Sequence, residues 1–439
     1  MNSSNNRLVA AILLAGFGLS FYWFFPTHSP DLMATWLAGQ FLTAGQPDQV
    51  YPAVTDTFLM YPPSEWRDFM AREYQYEGAI YPFIYPPIWA KLGQFIAEVN
   101  FWRVAAVALM VNCILLIATP YLAYRATRSQ LNPAIFMGLA IFILLSTHIG
   151  TIALNQNQPQ ILVSFLLVLS VERIRANASI VAGLALAIAA AIKIYPAIFA
   201  LFWLFGHQRR AFWSFLLFGT ALGLTSLIWA DWPLHRAFFD QISLISDTVL
   251  VTAISFNVDA AIAQLFFTDD LIWVAGLEPP TASVPDPGWY NIARPALWRM
   301  VSNGIFIAVF ALIIRAFSRT TPDIQTATLW PLALILMALL SPISWVYYYI
   351  PAACFAPVLI DRLGAKLGTL YLTLCFGPIF RPILRLYRFD MQDQMRANLD
   401  LEGIPPYHYQ LIGVAAFLVL ATGFAYAAWR SHFGVKPPA

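Results

Sequence analysis

Apolar residues run along this chain in blocks long enough to cross a membrane as helices, which takes roughly 17 to 25 residues. Blocks near 8–25, 103–124, 133–153, 211–230, 300–317, 325–341, 344–361 and 409–429 predict spans, and shorter runs at 159–171 and 366–380 predict further ones. The block 178–206 exceeds a simple span and is interrupted by Lys193-Ile-Tyr-Pro196, where proline removes a helix hydrogen bond and clashes with the preceding turn. Short cytoplasmic loops are enriched in arginine and lysine. That rule puts Arg125 with Arg128, Arg173 with Arg175, Arg209 with Arg210, Arg315 with Arg319, and Arg362 with Lys366 inside. For Arg175 and Arg209 to share a side, 178–206 must enter and return, a hairpin with Lys193 and Pro196 at its tip. The same logic makes 133–171 a hairpin whose outer tip is Asn155-Gln-Asn-Gln-Pro159. The expected fold is an all-α polytopic bundle of about twelve membrane helices, both termini cytoplasmic, with outer loops near 26–102, 231–299 and 381–408. Arg381, Arg385, Arg388 and Arg396 run against the charge rule by falling outside.

Composition agrees with the pattern. Of the 439 residues, 59% are hydrophobic and only 11% charged, against roughly 25% charged in a soluble domain. A formal net charge of +2, without a basic cluster interleaved with aromatics, gives no footprint for nucleic acid. Lipids or lipid-linked molecules are the expected partners. Cys113, Cys354 and Cys375 all lie in apolar segments without C-x-x-C spacing, so they read as small core residues rather than disulfides or metal ligands. The first apolar run lacks a small-residue cleavage site and reads as an uncleaved helix. No repeat, low-complexity tract or soluble domain interrupts 1–439, which reads as one integral membrane domain.

The first outer loop is too long for a linker. Pro30-Asp31 precedes Leu32, Met33, Trp36, Leu37, Phe41 and Leu42 at helical spacing, which predicts a helix along the membrane surface. Tyr81-Pro-Phe-Ile-Tyr85-Pro-Pro87 predicts a rigid aromatic segment lining a groove. Phosphate loops, H-E-x-x-H, EF-hand and G-x-S-x-G patterns are missing from the sequence. What remains is polar residues converging on the outer face: Asp31, Asn155 to Gln158, Lys193, and Ser341 to Tyr349. A charge at membrane depth costs about 2.5 to 3.5 kcal/mol or more and usually marks a substrate or ion path, although a lysine can also snorkel to the headgroups or pair with a carboxylate. Asp31 fits either a catalytic carboxylate or a helix cap. The amides fit sugar hydroxyls or an ordinary turn. The aromatic run fits a binding wall or an interfacial belt. His148 is assigned no role.

In order and spacing, Asp31, Ala44-Gly-Gln-Pro-Asp-Gln-Val-Tyr51, Tyr85-Pro-Pro87, Asn155-Gln-Asn-Gln158, Lys193-Ile-Tyr-Pro196 and Ser341-Pro-Ile-Ser-Trp345 resemble glycosyltransferase family 87 of the GT-C superfamily. The likeness runs from about residue 8 to about residue 361. It implies a GT-C bundle whose outer loops carry short interfacial helices, a polyprenyl-phosphate sugar as donor with mannose the first choice, and a lipid or glycan acceptor. It also implies the inner membrane of a bacterium and chemistry outside the cytoplasm. Asp31 matches the family's general base, and Lys193 the lysine of its K-x-x-P element. Mycobacterial members resemble S-P-x-S-W-x-H-H, whereas here Tyr347 and Tyr348 stand at the histidine positions.

With that resemblance, Asp31 is expected to be catalytic and Lys193, Arg381 and Arg385 to meet the donor phosphate. Sugar and substrate contacts are expected from Asn155, Gln156, Asn157, Gln158, Tyr85, Ser344, Trp345, Tyr347 and Tyr348. Arg381, Arg385 and Arg388 have helical spacing for a phosphate site, but also fit solvated loop charges. One base without a second carboxylate nucleophile implies inverting single displacement. No motif demands a metal or other cofactor. Two rivals remain: a transporter or flippase of lipid-linked sugar, which would also have broken helices, and a non-catalytic subunit of glycan assembly.

Overall fold

The computed structural model describes residues 3–274, 289–382 and 408–434. Arg385, Arg388 and Arg396, on which a phosphate site and outer-loop charges were expected, lie outside the described residues.

The described chain is helical almost throughout. Among the described residues six helices are long and apolar enough to cross a membrane: α1 (Asn5–Phe24), Phe101–Thr127, Arg209–Ala230, Ala296–Arg319, Pro322–Leu340 and His408–His432. Against the expected twelve crossings, the other apolar helices are shorter; Pro133–Ser146 and Ser179–Ile192 are 14 residues each, about 21 Å, less than a hydrocarbon core of about 30 Å. These short helices meet at breaks. Thr147 is extended and caps the next helix, His148–Asn155, while Lys193 is extended and ends Ser179–Ile192 two residues before the Tyr195-Pro196 turn. Many outward residues are apolar: Leu14 is 71% exposed, Leu217 67%, Ile228 82% and Ile307 67%. Large aliphatic side chains exposed on long helices suit lipid rather than water.

Both expected hairpins form. Gly183 in Ser179–Ile192 packs against Ser214, near the start of Arg209–Ala230. Farther along, the carbonyl of Ala191 accepts from Trp89, and Trp229 meets Phe95 in the same outer-loop region. The two helices therefore run parallel, which requires residues 193–208 to return between them. At the opposite end, Arg128, Arg175, Asn177, Gln208 and Pro322 line one cavity, so the arginine-bearing loops gather there. Buried Glu172 bonds Arg125 at 3.1 Å and also Arg173, and Asp323 bridges Arg175 at 3.1 Å and Arg362 at 2.7 Å.

The first outer loop folds around α2 (Pro30–Thr43). Trp36, fully buried among Phe69, Tyr74 and Phe101, donates from Nε1 to the carbonyls of Ile96 and Val99, each at 3.1 Å. α2 crosses the helix Pro87–Gly93 at two glycines. A Cβ on Gly39 would fall 2.3 Å from the carbonyl carbon of Gly93. Residues 231–299 add what the all-α expectation missed: a small antiparallel sheet of β1 (Thr248–Val251), β2 (Ile272–Val274) and β3 (Trp289–Ala293), with β3 central. Arg294 beyond β3 reaches buried Asp259 at 3.0 Å, and Trp298 and Ser302 also donate to that carboxylate. This multiply bonded ion pair fastens the sheet to Ala296–Arg319.

The glycine crossing gives a test. Gly39→Ala must separate two backbones, at a cost of about 1–3 kcal/mol, so it lowers the melting temperature of the purified protein in detergent. Gly138→Ala, where a Cβ meets nothing within 4 Å, leaves it unchanged or raises it.

Candidate active site

Asp31 sits in the first turn of α2, outside the six long spans. Its place is set by Ser29, a buried residue in the left-handed region (φ 54°) whose amide and side chain are tied to the Asn155–Gln158 turn. The Ser29 amide donates to the Asn155 carbonyl at 3.4 Å, and Thr27 donates to that same oxygen. Asn157 completes the fastening. Its Nδ2 donates to Ser29 Oγ and to the Ala105 carbonyl, both at 2.9 Å, and its Oδ1 accepts from Asn112 at 2.9 Å. Asn157 is thus a knot joining α2, the turn and Phe101–Thr127, behind the cavity wall rather than in it. The Asn155 side chain is exposed and also lies off the cavity.

The neighbouring amides point the other way. A cavity of about 380 Å³ is lined on its polar side by Asp31, Tyr81, Tyr85, Gln156, Gln158, Lys193, Tyr195, Tyr347 and Tyr348, with Trp345 beside them. The Tyr85 hydroxyl donates to Gln158 Oε1 at 3.0 Å and lies 3.5 Å from Asp31 Oδ1. Gln158 Nε2 donates to the Tyr347 hydroxyl at 3.0 Å, and Tyr51 holds the Tyr85 backbone by donating to its carbonyl at 2.7 Å.

Lys193 occupies the hairpin tip. Its Nζ lies 4.7 Å from the ring centroid of Tyr348, 5.5 Å from that of Tyr347 and 5.7 Å from that of Tyr85, and donates to the Tyr348 hydroxyl at 3.4 Å. Ring faces attract an ammonium without neutralising it. Among the described residues no ion pair within 4.0 Å joins Lys193 to Asp31, so both charges face the cavity. Burial pushes the Asp31 carboxyl up to about 6, while the Lys193 charge and the polar contacts of Gln158 and Tyr85 draw it back. A carboxyl there is ionised at neutral pH yet more basic than an exposed one, which suits it to take a proton.

The remaining wall is apolar: Phe58, Met60, Ile84, Phe238, Ile242, Ile245, Leu250, Ile254 and Ile343. Most of these residues carry no signal of their role, because an apolar cavity wall and an apolar core have the same composition. The loop holding Trp345 docks on the sheet unit through the Val346 amide, which donates to the Ile254 carbonyl at 2.9 Å. Ser344 is buried behind it with an unpartnered hydroxyl, and Arg381 does not line the cavity.

Eight of the expected residues thus share one cavity: Asp31, Tyr85, Gln156, Gln158, Lys193, Trp345, Tyr347 and Tyr348. Asn155, Asn157, Ser344 and Arg381 stand off it. No curated protein matches the chain. The family model for glycosyltransferase family 87 matches residues 83–342, more than half of the chain, and that stretch carries Tyr85, Gln156, Gln158 and Lys193, with Asp31 and Trp345 to Tyr348 brought to them by the fold. With more than half of this multi-pass chain matched, the chain belongs to glycosyltransferase family 87 and is a membrane glycosyltransferase.

Proposed function

We propose that the enzyme transfers a sugar, mannose in the first instance, from a polyprenyl-phosphate donor to a lipid or glycan acceptor on the extracytoplasmic face of a bacterial inner membrane. The observation that carries this reading is the shared cavity of Asp31 and Lys193, with no direct pair between them. An acceptor hydroxyl beside Asp31 attacks the anomeric carbon. Its proton passes to the carboxylate as the bond from that carbon to the phosphate oxygen breaks. Polyprenyl phosphate leaves with the electron pair, and the new bond forms on the opposite face of the sugar, inverting the anomeric centre. Lys193 meets the charge growing on the leaving phosphate, where a fixed cation in a water-poor site is most effective. The tyrosine rings keep the ammonium available for this role. Gln156 lines the cavity with an amide suited to sugar hydroxyls, Gln158 holds the Tyr85 and Tyr347 hydroxyls beside it, and the apolar wall suits the first isoprene units of the donor. The arginine-rich end is then cytoplasmic, by the charge rule.

Asp31→Asn is expected to lower turnover of labelled polyprenyl-phosphate mannose by roughly 10²- to 10⁴-fold, read as donor consumed by purified protein with lipid extract as acceptor. Substantial residual turnover removes Asp31 from the mechanism. Its folding is expected to be intact. A carboxyl raised from 3.8 to about 6 opposes folding when ionised, fully so above about 6, so the asparagine variant melts no lower than wild type at neutral pH.

Lys193→Met is expected to cost roughly 10²-fold or more in turnover, with Lys193→Arg restoring part of it; equal losses in both would point to packing rather than charge. The pH profile follows from the carboxylate and the ammonium. Turnover should fall as pH drops through about 6, where Asp31 becomes protonated, and fall again as pH rises through about 7, where burial lets Lys193 lose its proton; the acid limb should be absent from whatever activity Asp31→Asn retains.

A further inference from the structure

At the end of the bundle remote from the active site lies a second cavity, of about 220 Å³. The helix Gln160–Arg175 spans the distance between the two: Gln160 bonds Tyr195 of the first, while Arg175 lines the second, about 22 Å of helix away. Two guanidinium groups, Arg128 and Arg175, line this second cavity, and no carboxylate does. Asp323 engages Arg175 from outside the lining at 3.1 Å and is shared with Arg362; Asp361 is likewise outside it and accepts from the Gln130 amide at 3.0 Å.

Donors here lack acceptors. Trp203, 1% exposed and lining the cavity, has a buried Nε1 without a partner, and the buried Nε of Arg175 has none either. An unsatisfied buried donor costs about 1–3 kcal/mol, so such groups ordinarily find a partner. Gln325 and Thr326 enter the lining from a π-helical turn, Gln325–Leu329, a departure from regular helix often found at functional sites. Guanidinium groups, unpaired N–H donors and no lining carboxylate suit a tetrahedral oxyanion.

We propose that this cavity binds a phosphoryl anion, either the phosphodiester of an anionic lipid headgroup or free phosphate. Arg128 and Arg175 supply the positive charge, and Arg128 closes over the anion from the exposed side.

The test is a thermal-shift titration of the full chain in detergent with short-chain phosphatidylglycerol, with phosphatidylcholine of equal chain length, and with inorganic phosphate. A saturable rise in melting temperature with phosphatidylglycerol, larger than with phosphatidylcholine, supports the site and assigns it to a lipid headgroup. A saturable rise with inorganic phosphate alone supports it and assigns it to the free anion. Arg128→Gln, which alters an exposed side chain, is expected to weaken the response about tenfold or more, as loss of a charge-assisted contact predicts. No saturable rise with either anion, or an undiminished response in Arg128→Gln, overturns the proposal.

Discussion

A positive charge withdrawn from water has to be compensated, and the usual solution, a carboxylate in contact, would consume the charge that a reaction needs. Lys193 meets instead the faces of Tyr85, Tyr347 and Tyr348 and one phenol oxygen, while the Asp31 charge favours its ammonium without contact. Each ring contact is worth about 0.5–2 kcal/mol, and burial still outweighs these contributions, pulling the Lys193 pKa down to about 7. Much of the architecture serves this arrangement. The helix break at Lys193 brings the ammonium to the cavity, the Tyr347–Tyr348 turn supplies two ring faces, and the Tyr81–Pro87 segment supplies the third.

The carboxylate is placed by different means. Asp31 depends on a short helix whose entry is held by Asn157 and whose body is held by Trp36 and the Gly39–Gly93 crossing. These contacts involve little charge. Asp31 is therefore positioned by neutral hydrogen bonds and steric fit, and Lys193 lies among ring faces, with no contact ion pair between them.

Much of this was legible in the sequence because polar residues in an apolar chain are conspicuous. Asp31 and Lys193 stand out for that reason, and the distribution of arginines foretold the two hairpins. Asn155 to Gln158 were harder: four consecutive amides share one composition, yet the backbone turns alternate members toward the cavity and away from it, and Asn157 takes up a left-handed conformation that no periodicity announces. β1, reading Thr-Val-Leu-Val, is a short apolar run that a strand and a buried helix segment would carry equally. The sheet forms because β3 pairs with it from some forty residues downstream, a contact that local pattern does not encode. The count of crossings was the least legible quantity, since helices broken at Thr147 and Lys193 keep the hydropathy of a span without its length.

The Asn155–Gln158 turn has a further consequence, for evolvability. Two of its side chains line the cavity while the other two positions, through a backbone carbonyl and a knotted amide, aim the helix that carries Asp31. An insertion, deletion or backbone shift here would move Asp31 and the cavity-lining amides together. New substrate preferences are more easily acquired by drift in the opposing wall, at Met60, Phe238 or Ile242, where a side chain can change shape without carrying the mechanism with it.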